Sequence, residues 1–139
     1  MGNKRGGGIM KIGKKDEIIK WYEKADADIL IAKRALEWEP FILDPACFHC
    51  QQAIEKYLKA YLLYQGKDIE KTHNLTYLKE LCAEYDSNFG GFNFEELNNF
   101  AIDIRYPDDA IAPLLSEAKK FLQLAEDVKG VVMSKITLD

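Results

Sequence analysis

Residues Cys47–Leu62 read CFHCQQAIEKYLKAYL, and the phase of the apolar side chains in this stretch decides the fold. With about 3.6 residues per helical turn, Cys47, Cys50, Ile54, Tyr57 and Tyr61 fall on one stripe. Gln51, Leu58 and Leu62 carry that stripe further around the helix. So wide an apolar surface predicts a central helix that touches several neighbours. Just upstream, Asp44 suits an N-cap and Pro45 the first helical position. Gly66 suits the C-terminal stop, so the helix is expected to run to about Gln65. Glu55 and Lys59 stand four apart in the favoured order for an ion pair.

The sulfur in this stretch invites a different reading. Cys47 and Cys50 have C-x-x-C spacing, and a tetrahedral zinc set would draw on Cys47, Cys50, His73 and Cys82. The chain has no second C-x-x-C, and both cysteines are in phase with Ile54, Tyr57 and Tyr61. They are expected to pack as small buried hydrophobes, with no metal and no cofactor. A thioredoxin-type motif opens a helix after a strand, and no strand pattern precedes this one. His49 falls about 100° from Cys50 around the helix and is expected to be a partly exposed packing residue, with a place at a dimer seam as the alternative.

Helical periodicity continues on both sides. Upstream, Ile18, Tyr22, Ala25, Ile29, Ala32 and Leu36 form one stripe of a long helix that ends before Pro40. Asp26, Asp28, Lys33 and Arg34 lie off or beside that stripe. Downstream, Thr72 or Asn74 caps a third helix bearing Leu75, Leu78, Leu81, Cys82 and Tyr85. DSNFGGFN (86–93) is expected as a loop. Phe94, Leu97, Phe100, Ala101 and Ile104 mark a fourth helix, interrupted at Pro107. A last helix, from about Pro113 to Met133, carries Leu114, Ala118, Phe121, Ala125, Val128 and Val132. With short connections and no period-two runs, the expectation is all-α: an antiparallel up-and-down bundle of four to five helices. Residues 1–13 are expected as a flexible lead and 14–136 as the bundle domain.

The chain has 139 residues, enough for one domain, with 47% hydrophobic and 30% charged residues. That balance is globular rather than disordered. The net charge of −4 gives no global field for nucleic acid. No run approaches the roughly 20 apolar residues of a membrane span. The basic start MGNKRGGGIMKIGKK lacks the apolar segment of a secretory signal, so a cytoplasmic protein is expected. No nucleophile elbow, phosphate loop or H-E-x-x-H stands out. An acid pair can be drawn only from scattered Asp26, Asp28, Glu55 and Asp103, where a solvated charged face is the ordinary explanation.

Several ordered blocks resemble the HEPN family (higher eukaryotes and prokaryotes nucleotide-binding domain), and specifically its small stand-alone prokaryotic members. They are Phe48, Gln51, Gln52, Ala53, Glu55, Lys56, Lys59 and Ala60 on the central helix, then Gly66, then Thr72, His73 and Leu75. Arg105 and Tyr106 follow, and ADADILIAKRAL (25–36) is similar to the family's first helix. The resemblance covers about residues 16–133. It implies an antiparallel helical bundle, often a homodimer, similar to the helical domain of kanamycin nucleotidyltransferase. It also implies a minimal nucleotidyltransferase as partner, in arrangements that resemble toxin–antitoxin pairs, and nucleotide binding for some members.

Many members are metal-independent ribonucleases with an arginine followed, after four to six residues, by histidine. Arg105 occupies the arginine place, but Ala110, Ile111 and Ala112 stand where the histidine belongs. Proton transfer at a ribose hydroxyl wants a group titrating near neutrality, and that group is missing there. A non-catalytic protein is therefore expected, with an Arg105 ribonuclease using His73 or His49 as the alternative. The candidate binding residues are Gln51, Gln52, Glu55, Lys56, Lys59, His73, Arg105 and Tyr106, for a nucleotide or RNA. Lys56 and Lys59 share a helical face, Arg105 suits phosphate, and Tyr106 suits stacking. The same residues also read as a polar network in which Glu55 pairs with Lys59 or Arg105 to fix helix register.

Overall fold

The computed structural model describes residues 12–98 and 113–138, with side chains from Lys14 onward. Four α-helices dominate: α1 (Ile12–Ala35), α2 (Leu43–Tyr64), α3 (Leu75–Ala83) and α4 (Leu115–Lys135). A 3-10 helix spans Ser87–Gly91, and a further helical turn covers 95–98. The described residues contain no strand, and the architecture is the all-α bundle that the apolar phases predict.

α2 is the central element. It packs on α1, α3 and α4, and α1 also touches α4. Cys47, Cys50, Ile54, Tyr57 and Tyr61 are all buried, as are Leu58 and Leu62. Small residues recur in the core that α1 and α2 share, with Ala25, Ala32 and Ala53 in one cluster and Ala60 beside Ile18 in a second. Ala46, Ala53 and Ala60 on α2 and Ala25 and Ala32 on α1 are all fully buried. The α2 alanines are seven residues apart, so they stay in line along the helix. Side chains this small let the two backbones approach closely. That approach brings the polar residues flanking the α1–α2 seam within reach of each other.

The helix ends follow local chemistry, although Tyr85 lies past the end of α3 at Ala83 and is exposed rather than on its buried face. Two helix starts also differ from expectation. α2 begins at Leu43 with Ile42 at the N-cap, which makes no side-chain capping bond. Asp44 thus lies in the first turn instead of capping it, where its charge still suits the helix dipole. The second difference is Leu114, which stands before α4 and is exposed rather than on the buried face. There the Glu117 carboxylate accepts from the Leu114 amide at 2.9 Å. Asn74 caps α3 by accepting from the Tyr77 amide at 3.2 Å. Asn98 ties that same entry to the turn at 95–98, accepting from the Leu75 amide at 3.1 Å and donating to Thr76 Oγ1 at 3.1 Å. Gly66, at φ 87°, takes the left-handed conformation that ends α2. The stretch expected as a plain loop instead forms the 3-10 helix, because Phe89 turns inward to pack on Tyr61 at 4.6 Å between centroids.

Candidate functional site

Two buried carboxylates organise the polar side of α1 and α2. Asp28 on α1 is 5% exposed. One of its oxygens lies 2.8 Å from His49 Nδ1, and the other accepts from Lys56 Nζ at 2.6 Å. His49 and Lys56 are seven residues apart on α2, so both project beside the alanine seam toward the same point on α1. Glu55 on α2 is 4% exposed. It accepts from Lys59 Nζ at 2.9 Å and lies 2.9 Å from His73 Nδ1, at the entry to α3. The Lys59 ammonium also sits over the Trp21 ring, 5.7 Å from its centroid. Each carboxylate therefore gathers one lysine and one histidine.

Gln52 lies between the two clusters on the α2 surface, one turn from Phe48, His49, Glu55 and Lys56. It is half-buried, while its neighbour Gln51 is buried. The candidate residues Gln52, Glu55, Lys56, Lys59 and His73 thus share one side of the bundle, with Gln51 at its inner edge. Arg105 and Tyr106 lie outside the described residues, as does Asp103.

Lys56 and Lys59 share a helical face, and each is held by a different carboxylate, Asp28 on α1 and Glu55 on α2. One reading of these residues needs correction. His49 is a polar partner of Asp28 rather than a packing residue, although its ring does stand edge-on to Phe48 at 5.2 Å. Asp28 is the residue that sequence reasoning placed on a solvated face. The usable signal was the seven-residue spacing of His49 and Lys56 beside Ala53 and Ala60, which points two donors across the seam. The expected Glu55–Lys59 pair is present.

The opposite side of the seam holds a phenol–carboxylate contact. Tyr57 donates its hydroxyl to Asp26, which also takes Lys129 at 3.1 Å. Burial, with Asp26 adding to it, pushes the Tyr22 phenol up to about 12. Burial and the Asp26 bond push the Tyr57 phenol higher as well. Neither group ionises near neutrality.

The three cysteines are in the core. Burial pushes the Cys47, Cys50 and Cys82 thiols up to about 12. Zinc ligation needs thiolates, which these environments disfavour. Cys82 instead donates weakly to the Leu58 carbonyl at 3.7 Å, and His73 is committed to Glu55. Among the described residues, no three His, Cys, Asp or Glu side chains converge as a metal set. Nor is any helix among them long and apolar enough to cross a membrane.

A search of the curated proteins found no match, and neither did a search of the solved structures. The family model for the HEPN domain matches residues 18–135, a span that runs from the buried Ile18 of α1 to the last residue of α4. The all-helical bundle and the ordered motif blocks of α2 agree with that match, and the chain belongs to the HEPN domain family.

Proposed function

We propose that this chain is a nucleotide-binding and protein-interaction module that works as a cytoplasmic homodimer. In this reading it pairs with a minimal nucleotidyltransferase in an arrangement resembling a toxin–antitoxin pair. The observation that supports it is the pair of polar clusters, Asp28 with His49 and Lys56 and Glu55 with Lys59 and His73, on the side of the bundle that carries Gln52. Buried ion pairs are weak sources of stability, because desolvation offsets their attraction. Two such clusters side by side are better accounted for as groups held in place to meet a ligand. Arg105 is proposed to take a phosphate by its guanidinium fork, and Tyr106 to stack on a base.

Two measurements test this together. Tagged chain is expected to co-purify with the nucleotidyltransferase encoded beside it. A saturating nucleotide is expected to raise the melting temperature, since ligand at about 100 times its Kd stabilises by roughly 2.7 kcal/mol. If neither occurs, the reading fails. Light scattering at tens of micromolar should give a dimer mass.

A second reading, an RNA-cleaving enzyme, is favoured by one observation: a buried carboxylate orients the His49 ring. A carboxylate-held imidazole is a common general base. It predicts metal-independent RNA cleavage that is lost in Arg105→Ala and in His49→Gln. Purified protein that is inactive over a range of RNAs removes it.

A further inference from the structure

An open groove at the start of α2 is lined by Asp44, Pro45, Phe48 and His49, next to the site described above. We infer that this groove receives the nucleobase of the ligand and selects bases that carry an exocyclic amino group, such as adenine and cytosine. The inference rests on the nucleotide-binding reading and specifies which part of the nucleotide the groove reads.

His49 Nδ1 is committed to Asp28. In the neutral imidazole that contact requires the proton on Nδ1, which leaves Nε2 as an acceptor. The ring is partly exposed, with 25% of its side-chain surface accessible. Asp44 is exposed, and its carboxylate only accepts. With the imidazole neutral, two of the four lining residues present acceptors, and the other two are apolar. A ligand group that fits must donate.

A phosphate is the wrong complement here, because it is anionic and offers mainly acceptors. The cation nearest in sequence, Lys56, is held by Asp28 at 2.6 Å. The α2 N-terminus would normally attract an anion, but the Asp44 charge already stands in its first turn. A keto edge sets its oxygen against these acceptors and offers only the single N–H of the adjacent ring nitrogen, so it serves one of them and opposes the other. An exocyclic amino group matches both Asp44 and His49 Nε2.

The walls suit a flat heteroaromatic ring. Phe48 is 43% exposed, a large aromatic face left open to solvent. It meets His49 at an interplanar angle of 82°, so the two rings form a corner rather than a stack. A base lying on the Phe48 face would bring its edge toward the imidazole. Gln52 is one turn further along α2, and its amide can either donate or accept to the ring nitrogens.

The test uses matched pairs in which an amino group is replaced by a keto group and the adjacent ring nitrogen gains a proton. Calorimetric titration of the full chain with AMP, IMP, CMP and UMP compares amino with keto. AMP and CMP are expected to bind at least tenfold more tightly than IMP and UMP. Phe48→Ala is expected to weaken AMP tenfold or more. Asp44→Asn, whose amide can also donate, is expected to bring the AMP to IMP ratio close to one. Both side chains are exposed, so unchanged melting temperatures should verify folding. Equal binding of amino and keto partners, or AMP binding indifferent to both variants, overturns the inference and leaves nucleotide binding intact. Absence of binding by all four nucleotides overturns both.

Discussion

Replacing Lys59 with methionine should be the most damaging conservative change on the polar side of α2. Lys59 and Glu55 each expose 5% of their side-chain surface. Met keeps the length and apolar stem of lysine but leaves the Glu55 carboxylate with only His73, a residue 77% exposed at its side chain. Breaking a buried pair by removing one partner costs roughly 3–5 kcal/mol, mostly because an uncompensated charge remains. The surviving His73 contact places the expected loss near the low end, about 3 kcal/mol. The contact between the buried Lys59 and Trp21 adds about 1–2 kcal/mol to that. With a urea slope near 2 kcal/mol/M, the unfolding midpoint should fall by roughly 2–2.5 M. The companion variant Glu55→Leu/Lys59→Met removes both charges. It should lie within about 1 kcal/mol of the unmodified chain, or above it, and His73 can then turn to water. Equilibrium urea titration followed by circular dichroism reads both values. A loss below about 1 kcal/mol for Lys59→Met would refute the reasoning, because Glu55 would then be solvated like a surface acid.

Three further outcomes follow from the same contacts. Because folding raises the three buried thiols from 9.0 to about 12, the native state holds their protons while the unfolded chain releases them above pH 9. Stability is therefore full below pH 9 and falls toward pH 12. Each thiol costs about 1.4 kcal/mol by pH 10, roughly 4 kcal/mol together, readable as urea midpoints across that range. Asp28→Asn removes the acceptor of two charge-assisted bonds, but Lys56 and His49 are accessible enough to find water, so a loss of about 2 kcal/mol in the same urea assay is expected. Asn74→Ala removes the α3 cap and should cost about 1 kcal/mol, visible as faster hydrogen exchange at the Tyr77 amide.

The bundle was legible because apolar phase is a local property of a helix. The buried stripes of α2 and α4 can be counted directly from residue spacing. The Glu55–Lys59 pair was legible for the same reason, since one helix supplies both groups. Asp28 was not, because its burial depends on how closely α1 approaches α2. That approach is set by alanines on two segments whose mutual register no single helix encodes. His73 is a similar case: its partner lies 18 residues away, across a turn. The inward Phe89 and the exposed Leu114 were misread where a short connection, rather than a periodic segment, decides direction.

The contact between Lys59 and Trp21 has an optical consequence. The chain has two tryptophans. Trp38, 74% exposed in the connection between α1 and α2, should emit at long wavelength and yield readily to a collisional quencher. Trp21 lies beneath a buried ammonium that is locked to Glu55. With the Trp38 signal suppressed by quencher, the remaining fluorescence reports the electric field at the second carboxylate cluster. The protein thus carries its own label at that cluster.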